Sequence, residues 1–484
     1  MLKRLGYSLF AAALLMGSGC KPGVAPLLRK APEVNKLPEK HIAIQKQNEY
    51  AKLKKAPSAY RELAHKGWVS TTFGLSAREA PGGVKETSVM GRSGGGYLRK
   101  KRAMVKMSRS MKAMPTKGDA LKLASTPPAG RVIGKRPMPI AQASPLKAGE
   151  TDDNKNFDHY LLYHQKNQGL IPKKFHLNIK ERYVFEVSDS KGKTLPNCRV
   201  VVGGDDKLIW KGRTDAHGKL LFFPRAVQGT EKIKEFLVSF NYDGKSIVRK
   251  FSRLKNGATK PTKVTLPVQK KLDKVRVEVL FLLDTTGSMS DEIARVQSTL
   301  LAITAKIRKF QKQPEIRYGM VLYRDRTDEY VTRRFPFTSD VKKFDEALKQ
   351  VRAAGGGDVP EAMNMGLYTA IEQMKWTSDA LRMVFLVADA PPHLDYTNDV
   401  PYSKTLQAAV TKGIKIFPTA ASGLDNKGSF VMRQMAQYTG GKFLFIEYNK
   451  GTAASHGVSA PHKSNNLDDL IVRIVRSELT AYTK

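Results

Sequence analysis

Val275-Arg276-Val277-Glu278-Val279-Leu280-Phe281-Leu282-Leu283-Asp284-Thr285-Thr286-Gly287-Ser288-Met289-Ser290 decides the architecture. An almost uninterrupted apolar run ends on a carboxylate and passes into a short hydroxyl-rich loop, and a helix is expected from about Asp291 to Lys309. The pattern recurs. Tyr318 to Tyr323 ends in Arg324-Asp325, and Met383 to Ala388 ends in Asp389. Apolar strands alternating with helices predict an α/β fold with a doubly wound, mostly parallel sheet covered on both faces. In such sheets ligands lie beyond the carboxyl ends of the strands, where the winding reverses. Strands ending in aspartate therefore aim their carboxylates at one crevice.

Between the second and third runs stands Gly355-Gly356-Gly357-Asp358-Val359-Pro360-Glu361, a loop that opens a helix expected over Ala362 to Met374. Asp284, Asp358 and Asp389, with the hydroxyls of Thr286 and Ser288, make an all-oxygen set suited to a hard divalent cation. These residues resemble the von Willebrand factor type A domain and its metal-ion-dependent adhesion site. Asp284, Thr286 and Ser288 match the first motif of that family, and Asp389, after a buried strand, matches the last. The middle ligand of the family is usually threonine, whereas Asp358 stands here. The Gly-Gly-Gly-Asp-x-Pro-Glu form looks like the hemicentin and α-kinase-associated branch. The resemblance spans residues 274–484 and implies a Rossmann-like fold. It also implies metal ligands at Asp284, Thr286, Ser288, Asp358 and Asp389, with magnesium expected and manganese or calcium as alternatives. A protein partner is expected at that metal. A third carboxylate would leave the loaded site at about −1, favouring the cation and disfavouring an acidic partner. His393, Asp325 and Asp328 are expected on the rim without metal contact, the two aspartates solvated.

Upstream, residues 181–268 change rhythm. Tyr183, Phe185 and Val187 alternate, as do Phe236, Val238 and Phe240, and turn signals such as Asp215-Ala216-His217-Gly218 separate the strands. A small antiparallel β-sandwich is predicted, with turn placement that resembles the transthyretin-like or carboxypeptidase-regulatory-like sandwiches. Residues 151–180 form a lead-in with a short helix around Asn156 to Gln168.

The whole chain has 484 residues and a formal net charge of +39. About half of that excess falls in residues 20–150, which are rich in Lys, Arg, Pro, Gly and Ser and read as a disordered basic linker. Within it, Met104, Met107, Met111 and Met114 recur at helical spacing among cations, a pattern that suits a membrane surface. Residues 1–19 pair Lys3 and Arg4 with the apolar Leu9 to Met16 and end in small residues, as an export signal does. Gly19-Cys20 resembles the bacterial lipobox, although Gly17 stands where that family prefers Leu, Val or Ile; Cys20 is then the lipidated residue. That resemblance places the protein in the cell envelope as a membrane-anchored lipoprotein, periplasmic or surface-exposed, with the outer membrane favoured. It leaves Cys198 as a free, buried thiol and removes nucleic acid as an expected partner despite the charge.

Two functions remain open from the sequence. One is a lipid-anchored adhesion or binding protein that is not an enzyme. The other is a metal-dependent phosphotransfer hydrolase with Asp284 as nucleophile, because Asp284-Thr285-Thr286-Gly287-Ser288 also looks like the nucleophile motif of haloacid-dehalogenase-type enzymes. Those enzymes also need a lysine at a strand end, and the sequence places none there.

Overall fold

A computed structural model describes residues 146–484, apart from 206, 259, 272–274, 311–313, 449–451 and 459–463. The export segment, Cys20, nearly all of the basic stretch and its methionine island lie outside the described residues. No described helix is long and apolar enough to cross a membrane.

The larger unit is an eight-stranded sheet. Its core strands are β9 (Arg276–Asp284), β10 (Glu315–Tyr323), β12 (Leu381–Ala388), β13 (Ile414–Ala420) and β14 (Phe443–Ile446), all parallel to their neighbours in that set. With β1 (Lys147–Thr151), β11 (Thr332–Thr338) and β15 (Asn465–Asn466), the sheet order is β11-β10-β9-β12-β13-β14-β1-β15, β11 running antiparallel to β10. Alternation along β9 divides the interior. Val277, Val279, Phe281 and Leu283 pack with α2 (Ser290–Ile307), α3 (Val341–Lys349) and α7 (Leu467–Thr483). Leu280 and Leu282 face α4 (Met363–Tyr368), α5 (Tyr402–Lys412) and α6 (Asn426–Thr439). Both faces of β9 are thus buried, which is why its sequence is a continuous apolar run rather than an alternating one.

Two elements fix the crevice. The chain leaves β9 toward β10 on one side and reaches β12 on the other, so the winding reverses between β9 and β12. Tyr323 pairs with Asp284 and Val387 with Leu283, which sets Asp284 and Asp389 at neighbouring strand ends. Helix α4 is shorter than the sequence suggests, because its ladder passes into a π turn at Thr369–Gln373.

The basic linker expected to run to residue 150 ends earlier. Lys147–Thr151 is strand β1, inserted antiparallel between β14 and β15 (Asn465–Asn466), with Ala148 fully buried. Backbone pairing to two partners holds this segment although its composition is poor in strand formers.

The lead-in carries α1 (Phe157–Asn167). Beyond it lie two small sheets. One is β5-β2-β8 (Lys219–Phe222, Tyr183–Ser188, Thr262–Thr265) and the other β4-β3-β6-β7 (Lys207–Arg213, Arg199–Gly204, Glu235–Tyr242, Lys245–Ser252). Tyr183 and Phe222 meet Phe236, and Phe185 meets Phe240, so aromatic side chains of the two sheets share one interior. The expected all-antiparallel arrangement needs one correction: β8 returns from the four-stranded sheet and runs parallel to β2. That interior is continuous with the α4–α6 side of the large sheet. Phe175 stacks on Tyr402 and Phe223 on Tyr438 across the junction. Cys198 is free and buried, and burial pushes its thiol up to about 12.

Candidate metal centre

Asp284 closes β9 with no solvent exposure. Its Oδ1 accepts the backbone N–H of Thr286 at 3.0 Å and the Thr286 hydroxyl at 2.7 Å. That hydroxyl lies 3.2 Å from the Ser288 hydroxyl. The other oxygen, Asp284 Oδ2, is buried with no hydrogen-bond partner, and so is Asp389 Oδ1. Burial, then the Asp389 charge, pushes the Asp284 carboxyl up to about 7, against the pull of the Thr286 donors and the Tyr323 hydroxyl. Asp389 is raised by burial and by Glu292, while the Ser288 hydroxyl acts the other way.

The Gly-rich loop is laid directly on this turn. Gly287 N–H donates to the Gly355 carbonyl at 2.8 Å, and Ala354 N–H to the Thr285 carbonyl at 3.1 Å. Gly355 and Gly356 have φ of +75° and +73°, the left-handed region that glycine tolerates. A Cβ on Gly355 would collide with the Asp328 carboxylate, which accepts the Gly356 N–H at 3.0 Å. A Cβ on Gly356 would lie 2.9 Å from Glu361 Oε1 and 3.0 Å from the Thr286 Cβ. Close backbone approach therefore requires glycine at both positions.

Glu361 is the residue that the sequence reading passed over. It is buried, its Oε2 lacks a partner, and its carboxyl is pushed up to about 8. Burial is the main cause, followed by the charges of Asp284, Asp325, Asp328 and Asp389. The signal was present, since Glu361 ends the Gly-Gly-Gly-Asp-x-Pro-Glu motif. Asp325 also departs from expectation. It is buried rather than solvated, and both its oxygens accept from the Tyr396 hydroxyl, at 3.0 and 2.8 Å.

The structure brings Asp284, Thr286, Ser288 and Asp389 together. Asp358 is exposed on the loop and grouped with Asp325 and His393. The fit to a hard cation rests on the orphaned oxygens. Two buried carboxylate oxygens without donors, beside two hydroxyls and among further carboxylates, lack positive charge, and burying them unpaired is costly. A divalent cation supplies that charge through oxygen ligands.

Residues 278–447 match the family model of the von Willebrand factor A domain. The α-protein kinase vwkA of Dictyostelium discoideum is 31% identical over 120 residues, covering 24% of this chain and 19% of that protein. Human hemicentin-1 is 33% identical over 92 residues, 19% of this chain and 2% of its own length. The chain thus spans under a fifth of either relative. A solved structure of the conserved hypothetical protein BatB from Bacteroides thetaiotaomicron aligns with 42% of this chain and 99% of its own, at a TM-score of 0.31 and 14% identity.

Proposed function

We propose that the von Willebrand factor A domain at residues 278–447 holds a divalent cation on Asp284, Thr286, Ser288 and Asp389 and uses it to grip a protein partner. Magnesium is the first choice, with manganese and calcium as alternatives. Such domains are protein-interaction modules, often metal-dependent. The observation that carries the reading is the pair of buried oxygens without a hydrogen-bond partner, Asp284 Oδ2 and Asp389 Oδ1, at adjacent strand ends. Asp358, expected as a third carboxylate in this set, stands on the exposed rim and is left out of it. The protein acts by binding, not catalysis. As a phosphotransfer nucleophile Asp284 would have to reach substrate, and it is fully buried with one oxygen already taken by Thr286.

The domain works in the cell envelope, tethered by a lipid on Cys20, with the basic stretch adding attraction to anionic headgroups. The two small sheets, similar in turn placement to transthyretin-like sandwiches, serve as a spacer between anchor and metal site. The test is capture of partners from native envelope extract on the immobilised full chain. Retention that requires magnesium, is released by chelator and fails with Asp284→Ala supports the reading. Retention unchanged by both contradicts it.

A further inference from the structure

A second group of ligating side chains sits on the rim of the crevice, and its chemistry is different. One ligand atom from each of Asp325, Asp358 and His393 lies within 4.8 Å of the other two. His393 is 4% exposed, and its Nε2 is buried without a hydrogen-bond partner. That nitrogen lies 3.6 Å from Asp325 Oδ1, within ion-pair reach of a protonated imidazole but too far for a hydrogen bond. The separation is close to the edge of a metal tetrahedron, about 3.4 Å for bonds of about 2.0 to 2.1 Å.

The imidazole is oriented for this task. Its Nδ1 lies 2.8 Å from Asp395 Oδ1, and an Nδ1–H donated there leaves the Nε2 lone pair free. The ring stacks on Tyr396 at 3.8 Å between centroids, and the His393 carbonyl accepts from Asn364 at 2.6 Å. Tyr396 also fixes Asp325 through its hydroxyl. Two ligands are therefore held in the protein, and the third, Asp358, closes the group from the solvent side.

We propose that Asp325, Asp358 and His393 form a second metal site, separate from the oxygen-only site at Asp284, that takes a divalent transition metal, with zinc fitting best. An imidazole with two carboxylates favours zinc over magnesium or calcium, which prefer oxygen alone. Three protein ligands on a tetrahedral ion leave one position for water or for a carboxylate of a partner. The site shares none of the four ligands assigned at Asp284, although Glu361 feels the charges of both Asp284 and Asp325.

The test is a zinc titration of the full chain in millimolar magnesium, so that the oxygen site is already saturated. The wild type is expected to take up zinc, and His393→Gln and Asp358→Asn to weaken it at least tenfold. Asp395→Ala, which removes the acceptor of the imidazole Nδ1–H, is expected to cost on the order of tenfold. Asp284→Ala is expected to leave zinc affinity within about twofold. Asp358 is exposed, so its variant retains the fold, and circular dichroism checks the others. Three results overturn the proposal: no zinc uptake by the wild type, undiminished uptake by both His393→Gln and Asp358→Asn, or loss of uptake in Asp284→Ala. Failure of magnesium binding with zinc uptake intact would instead remove the oxygen site and leave this one standing.

Discussion

At the scale of single residues, the crevice is a place where carboxylates are held against their own charge. Asp284 and Glu361 have folded-state values pushed up to about 7 and about 8 in the metal-free protein. Unfolding restores them to ordinary acidic values, so above about pH 4 the folded state binds more protons than the unfolded one. Stability of the chelated protein should be fullest below that range and fall as pH rises through 7 to 8. Thermal melts in chelator across pH 5 to 9 check this, and added magnesium should flatten the slope. Glu361→Gln removes one buried negative charge and should raise the melting temperature of the chelated protein at pH 8 by a few degrees, on the order of 1 kcal/mol. Asp358→Thr should leave magnesium affinity within about twofold, because the structure groups Asp358 with Asp325 and His393. A tenfold loss would return Asp358 to the oxygen site. The sequence showed which carboxylates end strands but not which of them meet. Asp325 reads as solvated because the residue that buries its charge, Tyr396, is 71 positions away.

At the scale of elements, the Gly-rich loop is what brings the first turn and Glu361 together. Gly355→Ala places a Cβ against Asp328 at a φ of +75°, at a cost of about 1 to 3 kcal/mol. Its urea midpoint should drop, and its magnesium-induced stabilisation should shrink as Gly287 loses the Gly355 carbonyl. Equal magnesium stabilisation in variant and parent would show that the loop does not support the site. The buried strands were legible because continuous apolar runs over β9 and β12 have few other solutions in a chain of this composition. Strand β1 was not legible: Lys-Ala-Gly-Glu-Thr has no apolar alternation and a single strand former, Thr151, and it is held by pairing with β14 and β15. Removing residues 146–151 from a 146–484 fragment should therefore lower its melting temperature by several degrees. Identical melting of residues 146–484 and 152–484 would mean that β1 contributes nothing.

At the scale of the whole molecule, the two small sheets and the large one are joined by a buried charge cluster. Lys415 Nζ lies 2.8 Å from both Asp215 and Glu478, and Arg382 donates to Asn197 at 2.9 Å. Asp215 and Asn197 come from the small-sheet side, so a turn read from the sequence as punctuation is an anchoring point. Lys415→Met leaves two carboxylates facing each other without a cation and should cost about 3 to 5 kcal/mol in a denaturant titration. Because the apolar interior is continuous across the junction, parent residues 146–484 should unfold in one transition. Two separated transitions would restore independent folding of the small sheets, the arrangement the self-contained strand pattern suggests. The most direct measurement is a calorimetric titration of magnesium into the chelated full chain and into Asp284→Ala. One equivalent bound by the parent, with none by the variant, is the predicted result; equal binding by both, or none by the parent, would contradict the cation site on which the proposed function rests.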